Sequence, residues 1–217
     1  MLSNIFKKTY QVNNNLNSKS EKKSFYFKNK KYNLLKISSE KINEIDIVYS
    51  LTGYSIDKEH FIKIQLKRFN KRKNDIVEEI AIIKELNNKK CVSCPQLLEI
   101  GNIKYKECKK ELFYLFDPKT LDLLDDQFIH YYKSEYIENN NSFIIGDLIL
   151  TMIEQKSLGV FHNDIKPDNI IVDNNKNLFL VDYDQSFKIN KDVQNMSTLD
   201  YVRWTINQDY INYGVKK

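Results

Sequence analysis

Between Ser24 and Leu66 the apolar residues fall in short runs broken by Lys, Asn, Ser or Gly: SFYF from Ser24, YNLLKI from Tyr32, IDIVYSL from Ile45 and HFIKIQL from His60. Runs of this length, rich in Tyr, Phe, Ile and Val, predict an antiparallel β-meander. From Asn74 to Leu86 the period lengthens. Ile76, Ile80 and Ile83, with Ile82, share one helical stripe, Asn74 or Asp75 stands as N-cap, and acids fill the first turn, so a helix is expected. Beyond a break containing Cys and Pro, QLLEIGNI and ELFYLF predict two further strands, and Asp117–Pro118 a turn. Leu121 to Tyr132 predicts a helix, Asn139 to Asn141 a polar loop, and Phe143 to Gln155 an apolar helix of the kind that is buried. The order is strands, helix, strands, then helices, an α+β chain with a β-rich first half and a helical second half.

Composition changes this picture little. The 217 residues are long enough to bury a sizeable core. The 34 basic and 29 acidic residues, net +5, are dispersed along the chain. Its densest basic run, Lys63 to Lys73, reads as a solvated strand end and loop. A nucleic-acid partner would need a concentrated basic face interleaved with aromatics, and none is expected. Met1 to Lys23 is polar, rich in Asn and Lys, and reads as a mobile lead-in. It lacks the apolar core of a secretory signal, and no run reaches the roughly 18 apolar residues of a membrane span. The three cysteines, an odd count, suit reducing conditions. The expected location is the cytoplasm, the cell's own or that of a host into which the chain is delivered.

The chemistry concentrates between Phe161 and Ser186, FHNDIKPDNIIVDNNKNLFLVDYDQS. Asp164 in a polar loop is followed five residues later by Asn169 and eighteen residues later by Asp182, with a hairpin between them. Phosphoryl transfer needs such a set: one group to orient an attacking hydroxyl and oxygen ligands for magnesium.

His162 to Asn169, HNDIKPDN, resembles the catalytic loop of the protein-kinase-like superfamily, whose pattern is HRDLKPEN. The resemblance implies a two-lobed kinase-like fold from Ser24 onward, with a β-rich N-lobe to about residue 116 and a shortened helical C-lobe to Lys217. By resemblance, Asp164 orients and accepts the proton of the substrate hydroxyl, Lys166 neutralises the transferring phosphoryl group, and Asn169 and Asp182 hold Mg2+. Lys63, in the β-type run FIKIQ, stands as the ATP-binding lysine, and Glu79 in the following helix as the carboxylate that fixes it, with Glu78 as the competing choice. Phe116 to Lys119 is the expected hinge, with Phe116 and Pro118 at the ATP site. The implied reaction moves the γ-phosphate of ATP to a hydroxyl, Ser or Thr of a protein. A sugar or other small-molecule acceptor, or a non-catalytic binding module, are the alternatives.

Departures from the family pattern narrow the type. No Gly-rich loop precedes Lys63: Gly53 stands alone, and Ser38 and Ser39 are left to cover the phosphates. HND lacks the Arg that often reads a phosphorylated segment. That motif, with an acid after the second Asp, also resembles choline-kinase and aminoglycoside-phosphotransferase relatives. DYD replaces DFG, so Asp184 stands where a flexible Gly is usual and a constitutively set site is expected. In length and in this ending the chain also resembles lipopolysaccharide-core sugar kinases, and it reads as a minimal, atypical Ser/Thr kinase. At the C-terminal end, STLDY reads as a shortened substrate turn with DYINYGV as a helix start, or the whole as an amphipathic helix packing Tyr201, Trp204 and Ile206. Cys91 and Cys94, in CVSC, read as structural. His60 and His130 read as ordinary histidines without a partner, and His162 as a brace for the loop backbone.

Overall fold

The structure, a computed structural model, describes residues 9–11, 24–41, 47–67, 76–112, 128–139 and 142–212. The strands are β1 (Thr9–Gln11), β2 (Ser24–Phe27), β3 (Lys30–Lys41), β4 (Ile47–Ser55), β5 (His60–Lys67), β6 (Leu97–Lys104), β7 (Phe128–Glu135), β8 (Ser142–Ile144), β9 (Val160–Phe161), β10 (Ile170–Val172), β11 (Leu178–Leu180) and β12 (Phe187–Lys188). The helices are α1 (Ile76–Asn88), α2 (Tyr105–Leu112), α3 (Ile145–Ser157), α4 (Lys191–Gln194) and α5 (Thr198–Asn212). Two compact units result, one from Ser18–Ile80 and Gln96–Tyr136, the other from Met1–Asn17, Ala81–Pro95 and Ile137–Lys217.

The first unit is an antiparallel sheet of order β2-β3-β4-β5-β7-β6. Strand alternation explains its core. Ile62, Ile64 and Leu66 of β5 face Phe25, Phe27, Leu51, Ile129 and Tyr131 in one apolar cluster. Each such aliphatic side chain contributes about 1.5–3 kcal/mol on full burial. Lys28 and Asn29, both at positive φ, turn β2 into β3 as a two-residue hairpin loop. Gly53 lies within β4, where a Cβ would meet the Asn33 carbonyl oxygen at 2.6 Å, so its role is strand packing.

The four leading runs form strands as expected, and α1 follows them. Its buried residues in this unit are Ile76 and Glu79, and Ile80 is only half-buried. The expected N-caps Asn74 and Asp75 lie outside the described residues. Two expectations are corrected. The end of the helix expected at Leu121–Tyr132 is strand from Phe128 on, because β7 is the partner that β5 and β6 share, and Ile129 and Tyr131 enter the core in alternation. The β-rich part therefore continues past residue 116. Glu111 and Leu112, expected to open a strand, end helix α2, which places Tyr105 and Cys108 in the same core.

In the second unit, β1 pairs with β8, so residues 9–11 of the expected lead-in are strand. Helix α3 starts at Ile145, and Phe143 belongs to β8. It is not the fully buried helix expected: Thr151, Met152, Gln155 and Lys156 are buried, whereas Leu150 is 65% exposed. Met152, Phe161 and Tyr201 form its core with Trp204 packed against them. STLDY is thus the start of the packed helix α5, with Ser197 Oγ accepting from Asp200 N at 3.2 Å. Residues 213–217 and the Ile206 side chain lie outside the description. β9 pairs with β12, and β10 with β11, the hairpin expected between Asn169 and Asp182.

Candidate active site

In the sheet unit, the alternation that turns Ile62, Ile64 and Leu66 to the core sends Lys63 and Gln65 to the other face. There Lys63, 6% exposed, places Nζ 2.8 Å from Oε2 of Glu79, itself 1% exposed. Tyr132, directly across from Lys63 on β7, donates its hydroxyl to the other Glu79 oxygen at 3.0 Å. Glu78 is exposed, so Glu79 is the partner. Gln65 Oε1 accepts from Ile76 N at 3.2 Å and satisfies a backbone donor at the start of α1.

In the second unit, β9 delivers the chain into the loop at His162. Asn163 takes φ 61°, a left-handed conformation that Asn tolerates better than most residues, and donates from Nδ2 to Gln185 O at 3.2 Å. Asp164 is buried. Lys166 Nζ lies 2.5 Å from its Oδ2, and Asn169 Nδ2 donates to the same oxygen at 2.7 Å and to the Asp164 carbonyl at 2.9 Å. Pro167 opens a single 3-10 turn closed by Asn169 N donating to Lys166 O. The β10–β11 hairpin then brings the chain back, and Val181 N donates to Asn169 O at 3.0 Å. His162 Nε2 donates to Val181 O at 3.0 Å, so the histidine braces the two segments. Its burial pushes the imidazole down to about 4, and the ring is neutral.

Asp182 follows with φ 66° and ψ 66°, and Tyr183–Gln185 form a second 3-10 turn. Asp164, Asp182 and Asp184 each offer a carboxylate oxygen, all within 4.8 Å of one another. Burial alone would lower the pKa of the Lys166 ammonium, but the hydrogen bond it donates to Asp164 and the charges of Asp164, Asp182 and Asp184 outweigh burial and raise it. A hard divalent cation suits such an all-oxygen set.

The structure therefore gathers Asp164, Lys166, Asn169 and Asp182 in one unit and pairs Lys63 with Glu79 in the other. Phe116 and Pro118 lie outside the described residues. Ser38 is exposed on β3, paired with Ser50 in the sheet. Asp184, in the sequence a lost glycine, joins this acidic cluster, and its signal is two acids flanking one aromatic. His60 is not without a partner, since Lys30 Nζ lies 3.0 Å from its Nδ1. Cys91, Cys94 and Cys108 are free and buried, Cys108 in the sheet core. Among the described residues no cysteine joins a potential metal cluster, and no helix is long and apolar enough to cross a membrane.

An antiparallel sheet carrying a buried Lys–Glu pair, with a loop and hairpin that join Asp, Lys, Asn and a second Asp, defines a protein-kinase-like fold. The family model described as the protein kinase domain matches residues 47–209, and the chain belongs to that family. It is similar to a probable casein kinase I homologue of Encephalitozoon cuniculi (strain GB-M1), 26% identical over 140 residues, covering 64% of this chain and 41% of that protein. It is also similar to Citron rho-interacting kinase of Rattus norvegicus, 36% identical over 59 residues, covering 27% of this chain and 3% of that one, and to its Homo sapiens counterpart, 37% identical over the same length. The chain thus spans less than half the length of these curated relatives. A solved structure, monomeric WbdD, aligns at 12% identity with a TM-score of 0.39, covering 73% of this chain and 36% of that one.

Proposed function

We propose that the chain is an ATP- and magnesium-dependent phosphotransferase that moves the γ-phosphoryl group to a Ser or Thr hydroxyl of a protein. The observation that carries this reading is the joint hold of Lys166 and Asn169 on one oxygen of Asp164, with Asp182 and Asp184 alongside. Asp164, fixed in orientation, positions the acceptor hydroxyl and takes its proton as transfer proceeds. Lys166, kept charged by its acidic neighbours, follows the negative charge that spreads over the transferring group. Asn169, Asp182 and Asp184 would hold magnesium, which when bound supplies positive charge to the β- and γ-phosphate oxygens. Lys63, held by Glu79, binds phosphate oxygens of ATP. Most of this catalysis is positioning and charge neutralisation. Dependence on ATP and three buried free thiols both fit the cytoplasm.

The test is incubation with γ-labelled ATP and either a generic protein or a set of saccharides, comparing wild type with Asp164→Ala. Label on protein Ser or Thr, absent in the variant, is expected. Label on saccharide alone would replace the acceptor class. ATP binding without any transfer would make the chain a binding module.

A further inference from the structure

Tyr183 stands between Asp182 and Asp184, yet its side chain belongs to the interior. Its ring lies 4.7 Å from that of His162 and is 2% exposed. Its hydroxyl accepts from Gln155 Nε2 at 2.7 Å and also hydrogen-bonds Cys94, and burial raises its pKa far above the usual phenol value. Gln155, on α3, is 1% exposed, and the same amide nitrogen lies 3.4 Å from Ser93 Oγ.

The loop holding Ser93 is itself fixed. The neighbouring Glu154 carboxylate accepts from Val92 N at 2.8 Å and Ser93 N at 3.2 Å, and Ser93 O accepts from Leu180 N at 3.0 Å. Gln155 Oε1 meanwhile has no hydrogen-bond partner. A buried acceptor left unmet costs stability that an apolar side chain of similar size would not. The amide therefore serves orientation better than packing. What it orients is the Tyr183–Gln185 turn, whose N-cap residue, Asp182, is held in the left-handed region, a conformation that a non-glycine residue keeps only when its surroundings determine it.

The geometry points to Gln155 as a positioning residue: its bond to the Tyr183 hydroxyl, on the platform of the Cys91–Pro95 loop, holds Asp182 and Asp184 together as a metal-binding pair. This rests on the phosphotransferase reading above. It also gives DYD a role for its hydroxyl that a phenylalanine could not fill.

The experiment is manganese binding, followed by electron paramagnetic resonance in the presence of a non-hydrolysable ATP analogue, for wild type, Gln155→Leu, Tyr183→Phe and the double variant. Each single variant is expected to bind manganese about tenfold more weakly, the scale of one buried hydrogen bond. The double variant should be no weaker than either single, because both remove the same bond. In turnover the loss should fall on the metal concentration required more than on kcat. Manganese binding as tight as wild type in Tyr183→Phe, or additive losses in the double variant, would overturn the inference; Tyr183→Phe, which keeps the ring, decides the matter if Gln155→Leu does not fold. Failure of the wild type itself to bind manganese and nucleotide would instead remove the phosphotransferase reading.

Discussion

Asn169 reaches back to Asp164 with a single amide nitrogen, donating to its carboxylate at 2.7 Å and to its carbonyl at 2.9 Å. Side chain and backbone of the same aspartate are thereby fixed by one group. Lys166 closes on the same carboxylate oxygen from inside the loop.

Asn169→Leu keeps the volume and removes both bonds. Because one acceptor is an ionised carboxylate, the folded state should lose about 2 kcal/mol. Phosphotransfer should fall by at least about a hundredfold, since the variant takes away both the partner that orients Asp164 and a proposed magnesium ligand. Urea denaturation and labelled-ATP transfer measured on the same preparation check both effects.

The Lys63–Glu79 pair is buried, and removing one partner strands the other charge. Lys63→Met should cost about 3–5 kcal/mol of stability. Lys63→Met combined with Glu79→Gln should recover much of that loss while ATP binding stays weak. A double-mutant cycle in urea, read beside nucleotide titration, separates the two.

His162 titrates near 6.5 when exposed and is pushed down to about 4 by burial. As pH falls below 6.5 the unfolded chain takes up a proton that the folded chain refuses until about 4. Stability is therefore flat above that window and declines through it, by on the order of 3 kcal/mol from this group. His162→Gln should flatten the decline between pH 6.5 and 4 in denaturation curves.

Burial pushes the Cys91 thiol up to about 11, and Cys94 and Cys108 are also buried. At pH 8 roughly a thousandth of Cys91 is thiolate. A thiol reagent should leave the folded protein unlabelled over minutes and modify all three cysteines at once in urea. Rapid labelling of the folded protein would contradict this packing.

Much of the candidate site was legible because its residues are close in sequence: Asp164, Lys166 and Asn169 meet within one short loop, and the hairpin that returns Asp182 has its own turn signal. Lys63 and Glu79 needed the family pattern, and the sequence leaves Glu78 open beside Glu79, two neighbours that only burial tells apart. Strand β7 was misread because Phe128 to Tyr132 fits a helical stripe as well as an alternation. Its flanking partners β5 and β6, distant in sequence, decide between them. Helix α2 was missed among charged residues, although Tyr105 and Cys108 stand three apart. Asp184 and Gln155 carry weak signals in sequence, one standing where a glycine is usual and the other at the tail of an apolar helix.

Strand β5 carries Lys63 and Gln65 two residues apart on one face, and both reach α1, one through the Glu79 carboxylate and the other through the Ile76 backbone. The strand thus sets the helix's starting point and its rotation together, as two pins locate a part that one would leave free to turn. A one-residue slip of β5 would lose both attachments at once and turn the lysine into the apolar core. Conversely, Gln65→Leu, which never touches the ion pair, should loosen Glu79 by unpinning the first turn.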